Sequence, residues 1–337
     1  MPQPVPVIRS ASLNGYVELA RSLGLNPQAM LRKAGLSPRC LDDPETPISV
    51  LAARDLLESS AQAAGVEDIG LQLARGRRMS NLGPISIVLR EEPTARAALD
   101  TLSRYLRLLN ASLLTRIEDH GDVVVIREEI LMDGAAPVRQ SMELAVGVMF
   151  RILGELLGTK WTPRRVCFSH RPPRDTGSHR AMFGCPLEFN SSFNGIVCSA
   201  RDLAMRLPTA ETGMAPYARR FLDQALSDSR TNTLDAARQL VVALLPGGRC
   251  TADQVAQHLA MDRRTLHRHL QVDGETFSSL TQSVRAEFAV RQIRDSDRPM
   301  AELAELLGFS GPSALSFWFR RSFGCTASTW RKNYVAV

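Results

Sequence analysis

The sequence predicts an α+β N-terminal domain followed by an all-α domain, in which two helix-turn-helix subdomains are joined by a connecting helix. Three observations predict this. The C-terminal third holds two runs of the same build, TADQVAQHLAMDRRTLHRHL over 251–270 and MAELAELLGFSGPSALSFWFRRSF over 300–323. Each is a short amphipathic helix, a tight break, and a second helix with one polar and one apolar side. Ahead of them, strand-like alternation is interleaved with helical spacing. A chain of 337 residues is too long for one small domain and fits two.

The N-terminal elements follow in order. SLNGYVELARSLGLNPQAMLRKAGL carries helical spacing at Tyr16, Leu19, Ala20 and Leu23, then at Met30 and Leu31. Pro27 suits a first helical turn. SVLAARDLLESSAQAAG and TARAALDTLSRYLRLLN are amphipathic helices. SLLTRIEDHGDVVVIREEI reads as two strands around Asp119-His120-Gly121-Asp122, a hairpin. QSMELAVGVMFRILGELLG is the most apolar helix of the domain. RRVCFSH, CPLEFN and NGIVCS read as short strands, with Asn194-Gly195 marking a turn. The domain is expected over 1–210. A linker containing a helix from about Ala215 to Leu226 follows over 211–232, and the C-terminal domain over 233–337. Its first helix begins at Leu234 and stops at Pro246-Gly247-Gly248.

In the first helix-turn-helix, Val255, Ala256 and Leu259 share one helical face. Met261 closes the turn and Asp262 is placed to cap the next helix, an anion at its positive end. Leu266 and Leu270 sit four apart and face the core. Arg263, Arg264, His267, Arg268 and Gln271 are left outside. Arginine bridges guanine O6 and N7, and helices of this size fit the major groove. The alternative is a solvated basic face on a structural helix. In the second run, Leu303, Ala304, Leu306 and Leu307 make the apolar face. Gly308 permits a left-handed turn. Gly311 takes the cap and Pro312 the first helical position, where its missing N–H costs nothing. Leu315 and Phe319 pack inward, and Ser313, Ser316, Phe317, Arg320 and Arg321 lie outside or at the rim.

Composition excludes more than it identifies. Net charge is +6 and the isoelectric point about 9.3. From Asn232 onward there are 13 basic and 10 acidic residues, so the excess is denser in the tail without being confined to it. Charge alone does not identify a DNA binder. No stretch approaches the roughly 18 apolar residues of a membrane span, and the N-terminus lacks a signal-peptide pattern. The six cysteines are scattered without a CxxC pair, which argues against a disulfide framework or zinc site and for small buried residues in a reducing cytoplasm. No catalytic triad, Gly-rich phosphate loop or HExxH is present, so neither enzyme chemistry nor a cofactor or metal is expected.

GFSGPSALSFWFRRSFGCTASTWRK resembles the signature of the AraC/XylS family of bacterial transcription regulators. The resemblance rests on Gly308, Phe309, Ser313, Leu315, Phe319, Arg320, Arg321, Phe323, Gly324, Thr326, Trp330 and Arg331. It extends to Leu266, Arg268, Leu270 and Gly274 in the first unit and to Arg285 and Ala289 between them. Two positions depart from it. Ala327 stands where the family has proline, and Phe317 where it often has arginine or another polar residue; a phenylalanine cannot donate to a base edge. The resemblance implies that Arg264, His267 and Arg268, with Arg263 beside them, read bases. The second unit relies on Ser313 and Ser316. Arg320 and Arg321, with Gln271 and Arg331, are expected on phosphates. The first unit is then expected to carry more of the specificity.

NGYVELARSLGLNP, VCFSHRPP and FGCPLEFNSSFNGIVCSARDLAMRLP resemble the sensing domain of the branch with an arabinose-binding-like N-terminal domain. That implies a small-molecule effector of unknown identity and a dimerisation surface. Met142, Val146, Met149, Phe150 and Leu153 are candidates for a pocket wall or for ordinary core. His170, beside Arg171 and near Arg174, is a candidate anion contact or a capped structural histidine. The expected whole is a cytoplasmic, effector-responsive activator on double-stranded DNA, nucleoid-associated when bound. Its expected partners are RNA polymerase and a second copy of the chain, with no membrane. The competing classes are an enzyme with a reactive cysteine and a constitutive repressor.

Overall fold

The computed structural model describes residues 6–131, 136–208, 213–228, 233–245 and 250–335. Pro246-Gly247-Gly248 and parts of the expected linker, 211–212 and 229–232, lie outside them. Two compact units are present. The first takes in most of the described residues up to 228 and the second those from 233 onward.

In the first unit, β1 (Val7–Arg9) and β2 (Pro47–Ser49) form an antiparallel ribbon. Four helices gather around it, α1 (Tyr16–Ser22), α2 (Pro27–Lys33), α3 (Val50–Ala64) and α4 (Ile69–Arg75). Asn26 caps α2 by accepting the Ala29 N–H at 3.0 Å, with Pro27 in the first turn as expected. Ser49 caps α3 in the same way. Leu13, Tyr16, Leu31, Ile48, Leu56 and Ile69 make the small core these elements share.

The larger core lies beneath a five-stranded sheet. The remaining elements are α5 (Pro84–Arg90), α6 (Ala95–Tyr105), β3 (Leu113–His120), β4 (Val123–Ile130), α7 (Arg139–Leu157), β5 (Arg165–Cys167), α8 (Gly177–Phe183), β6 (Leu187–Glu188), β7 (Asn194–Ser199), α9 (Ala200–Leu203) and α10 (Ala215–Asp228). The strand order is β3-β4-β7-β5-β6; β5 and β6 pair parallel and the other neighbours antiparallel. The hairpin register His120↔Val123 leaves Gly121-Asp122 as a two-residue loop, and Gly121 takes φ 70°, as such loops require. Val124, Ile126 and Ile130 of β4 and Ile196 of β7 join Met142, Val146 and Leu153 of α7 in the main core.

Two expectations change. Asn194-Gly195 does not turn the chain but opens β7, opposite Glu128 and Arg127 of β4. A Cβ at Gly195 would lie 2.0 Å from the Ile126 carbonyl oxygen, so the glycine serves close approach of two strands. The helix placed in the linker is α10, and it belongs to the first unit. Ala218 and Leu222 are buried there, and Asp223 accepts hydrogen bonds from Arg104 at 2.9 Å and Tyr105 at 2.7 Å.

The second unit is helical throughout its described elements: α11 (Thr233–Leu244), α12 (Ala252–His258), α13 (Arg263–Val272), α14 (Phe277–Asp295), α15 (Met300–Leu306), α16 (Pro312–Phe323) and α17 (Ala327–Val335). It has two small cores. Leu234, Val241, Val255, Leu266 and Leu270 make one; Leu303, Leu307, Leu315 and Phe319 make the other. The long helix α14 serves both, giving Leu280 and Val284 to the first and Ala289 and Ile293 to the second.

The tightest crossing in the first unit is α4 on α7. A Cβ at Gly70 would fall 1.9 Å from the Gln140 carbonyl oxygen, and one at Gly147 2.6 Å from the Ala74 Cβ. The Gly70 N–H also donates to Gln140 Oε1 at 3.0 Å. Backbone cannot yield as a flexible side chain does, so Gly70→Ala should cost about 3 kcal/mol, the upper end for overpacking. Chemical denaturation of the full chain checks this through the transition that reports the first unit.

Candidate nucleic-acid interface and N-terminal cavity

The two helix-turn-helix units are built alike, and the likeness extends to backbone geometry. Thr251 caps α12 by accepting the Gln254 N–H. The chain then turns so that the Met261 N–H reaches the Ala256 carbonyl at 3.0 Å; the equivalent bond in the second unit runs from Phe309 to Ala304 at 2.8 Å. Each turn needs one left-handed residue. The second unit uses Gly308 at φ 73°, as expected, whereas the first uses Ala260 at φ 53°. A Cβ makes that conformation costly.

Asp262 caps α13, accepting the Thr265 N–H at 2.7 Å and the Thr265 hydroxyl at 3.1 Å. These bonds favour the charged form and hold its carboxyl below the usual aspartate range. Leu266 and Leu270 are buried, and Arg263, Arg264, His267, Arg268 and Gln271 are all exposed on the opposite side. They line one shallow groove with Asp262 and Thr265. Arg263 also meets Asp253 of α12 at 3.5 Å, both side chains well exposed, so this pair is weak and salt-sensitive.

On α16, Leu315 and Phe319 are buried and Ser313, Ser316, Phe317, Arg320 and Arg321 are exposed. Phe317 is 73% exposed. It therefore stands mostly in solvent, outside the second core, on the same outer stripe as Ser313 and Ser316. Trp318 and Phe323 belong to the second core with Phe309 and Trp330, and the Trp318 indole donates to Gln282 of α14 at 2.7 Å.

One expected phosphate contact is corrected. Arg331 is half-buried and turns inward, donating to the carbonyls of Ile293 at 3.3 Å and Arg298 at 2.9 Å. Burial lowers its pKa. It ties α17 to the end of α14 and presents no free guanidinium fork to a backbone phosphate. Arg285 has a comparable task. It donates to the Leu307 carbonyl at 3.1 Å and stacks over Phe309 at 4.9 Å, joining α14 to the second turn.

The N-terminal domain encloses a cavity of about 160 Å³. One wall is α7, through Ser141, Leu144, Ala145, Val148, Met149 and Ile152; β1 and the turn after it, α3, the segment 77–82, α6 with the segment after it, β3 and β4 supply the rest. Of the residues expected to line a pocket, Met149 does. Met142, Val146 and Leu153 are fully buried in the main core instead. Phe150 packs edge-on against Phe183 and near Trp161. His170 is buried away from the cavity, its Nδ1 2.7 Å from the Arg171 carbonyl. The reason is geometric: α7 is apolar on two faces, and periodicity does not say which one meets solid core.

Glu128 was missed. It lines the cavity from β4, is 3% exposed, and burial pushes its carboxyl up to about 8 against a smaller pull from Thr115. Three arginines also line the cavity. Arg77 is buried and donates to the carbonyls of Ala11, at 2.6 Å, and Ser12. Arg9 pairs with Glu45 and Arg54 with Asp55. The signal for Glu128 was in the sequence, because the inward positions of β4 read Val124, Ile126, Glu128, Ile130. A carboxylate breaks that stripe where a hydrocarbon is required.

The cysteines are buried or half-buried. Desolvation pushes Cys167 and Cys185 up to about 11 and Cys198 to about 12, away from the range of reactive thiolates. Among the described residues no cluster of metal ligands occurs and no helix is long and apolar enough to cross a membrane.

Comparison with known proteins agrees with this geometry. The model for the arabinose-binding domain of AraC transcription regulators, N-terminal, matches residues 24–207, more than half of the chain. The chain belongs to the AraC family of transcription regulators. A helix-turn-helix domain model matches residues 255–333. The chain is 28% identical over 327 residues to the HTH-type transcriptional regulator VirS of Mycobacterium tuberculosis, covering 96% of each protein. It is 25% identical over 331 residues to the ornithine utilization regulator of Pseudomonas aeruginosa, covering 97% of this chain and 96% of that one. Among solved structures it is similar to the transcriptional regulator CdpR of Pseudomonas aeruginosa, at 18% identity and a TM-score of 0.42 over 93% of this chain and 97% of that one. This AraC-family chain is thus a DNA-binding transcription regulator with an N-terminal domain of the effector-binding type.

Two outcomes follow. Ala260→Gly should stabilise the C-terminal helical domain by up to about 1 kcal/mol, since glycine takes a left-handed turn without strain; the denaturation midpoint of that domain measures it. The folded chain holds the Glu128 proton far above the ordinary carboxylate pKa, to about pH 8, so folded binds more protons than unfolded between those values. Stability contributed at this site therefore falls as pH rises through that window. Glu128→Gln should raise the Tm, by a margin that widens from pH 5 to pH 8 in thermal scans.

Proposed function

We propose that this AraC-family chain is an effector-responsive activator that reads two adjacent major-groove segments with α13 and α16. The observation that carries the reading is the outer stripe of α13. Three arginines, a histidine and a glutamine stand exposed on one side of a helix whose other side is anchored by buried Leu266 and Leu270. A solvated structural helix does not need a capped, tightly turned partner helix before it and a second copy of the whole device after it.

In this reading Arg263, Arg264, His267 and Arg268 reach base edges, where arginine recognises guanine. Gln271 sits at the end of the same stripe and takes a phosphate. Ser313 and Ser316 read bases from α16 while Arg320 and Arg321 hold phosphates. Phe317 adds an apolar contact to a thymine methyl. The first unit carries more of the specificity, since serines offer less discrimination than bidentate arginine. The two helices enter successive major-groove faces about one turn apart, roughly 34 Å. The chain works without catalysis of its own, a reading supported by the raised thiol pKa values of Cys167 and Cys198. It acts in the bacterial cytoplasm at the nucleoid, with RNA polymerase as the partner of activation and a second copy of the chain as the partner of assembly.

Selection of binding sites from a random duplex pool at about 150 mM salt tests the reading; two blocks one helical turn apart are expected, and salt-sensitive binding without a motif would oppose it. On the recovered site, Arg268→Ala should cost about 1–3 kcal/mol and blur one base position. Arg321→Ala should weaken all sequences alike and reduce the salt slope by about one. Equal loss of specific and non-specific binding by both variants would remove the division into readers and anchors.

A further inference from the structure

The cavity of the N-terminal domain holds polar atoms that the chain itself leaves without a partner. Glu128 faces it from the inward stripe of β4, between the core residues Ile126 and Ile130. Its Oε2 is buried with no hydrogen-bond partner. Arg9 Nε and Ser12 Oγ, in the same lining, are buried and unpartnered as well. Folded chains pair nearly all their buried polar groups. Three such atoms converge on one mostly apolar cavity, where a molecule from outside the chain would complete their hydrogen bonds.

The chemistry of the lining narrows that molecule. The cavity volume of about 160 Å³ is close to that of an apolar cavity that accommodates benzene, roughly 150 Å³, and lies below the range for drug-sized ligands. The walls are Leu, Ile, Val and Met side chains with few polar interruptions. Most guanidinium donors are engaged, Arg77 by the Ala11 and Ser12 carbonyls, Arg9 by Glu45 through one terminal nitrogen and Arg54 by Asp55, which leaves the buried Arg9 Nε–H for an acceptor on the guest. With only the cavity walls around it Glu128 keeps its proton to about pH 8, and a cation placed against the carboxyl displaces that proton and leaves an acceptor-only carboxylate. A cation placed against it forms a charge-assisted bond, the strongest kind available in a low-dielectric site.

We infer that this cavity is the effector site and that it takes a compact apolar molecule, about one six-membered ring in size, whose protonated amine is held by Glu128. The inference rests on the reading of the chain as an effector-responsive regulator. Glu128 binds the amine, and the faces of Leu144, Val148 and Ile152 on α7 enclose the ring. The high pKa of the free carboxyl fits this role, since a bound cation supplies the countercharge that the cavity otherwise lacks.

Four probes that share a ring and differ in the head test it: benzylamine, benzyl alcohol, toluene and benzoate, titrated calorimetrically into the full-length chain at pH 7. Benzylamine should bind at least ten-fold more tightly than toluene or benzyl alcohol, with benzoate weakest. Glu128→Gln should abolish that preference and leave toluene unchanged, and Met149→Trp should exclude all four by filling the cavity. A wild-type chain that binds toluene or benzoate as tightly as benzylamine, or binds none of the four, overturns the inference without any variant having to fold. So does a Glu128→Gln chain that keeps the preference. Operator binding is measured on the same preparation. A chain that selects its DNA site yet ignores benzylamine remains a regulator and loses only this effector assignment, whereas loss of site selection strikes the regulator reading itself.

Discussion

The first unit depends on how closely α7 is allowed to approach its neighbours. Gly70 and Gly147 remove two Cβ atoms where α4 crosses it, and the backbones meet there at a distance no side chain would tolerate. That contact fixes the rotation of α7 about its axis. One apolar face, with Met142, Val146 and Leu153, then seals the main core under the sheet. The other, with Leu144, Val148 and Ile152, is left to wall a cavity. A helix apolar on one face only would have closed the core and made no pocket.

The second unit depends on a different economy. Each helix-turn-helix is too small to bury much surface alone, and α14 makes the two into one body by lending side chains to both cores. Arg285 and Arg331 strengthen that union through backbone carbonyls. Basic residues in this unit thus divide by partner. Those whose guanidinium finds a carbonyl are structural, and those on the outer stripes of α13 and α16 remain exposed to solvent. Charge density does not separate the two groups, but hydrogen bonding does.

Much of this was legible in the chain because it is governed by local rules. Pro27 in the first turn of α2, the cap at Asp262, the Gly121-Asp122 hairpin, the left-handed Gly308 and the buried pairs Leu266/Leu270 and Leu315/Phe319 each follow from residues within a few positions of one another. Glu128 was legible too, as a carboxylate interrupting an inward stripe, but only once the face of β4 that points inward was known. Ala260 was hidden for a related reason. An alanine at a left-handed position has no propensity signal, and it stands out only when the two repeats are aligned turn on turn.

What the sequence determined by itself was the longer helices, the β3-β4 hairpin and the outward stripes of the two recognition helices, since helical periodicity and capping are properties of neighbours in the chain; the short elements β1, β2, α4, α5, α8 and α9 carry too little pattern to be read. Tertiary structure alone decided which face of α7 meets the cavity, that α10 packs on the first unit, that Gly195 lies within a strand, and that Arg331 turns inward. Each of these is settled by atoms far away in sequence: a carbonyl at Gln140, a carboxylate at Asp223 accepting from Tyr105, the Ile126 backbone, the carbonyls of Ile293 and Arg298. Steric exclusion and hydrogen-bond partnership act between whatever the fold brings together, and spacing along one chain carries no record of them.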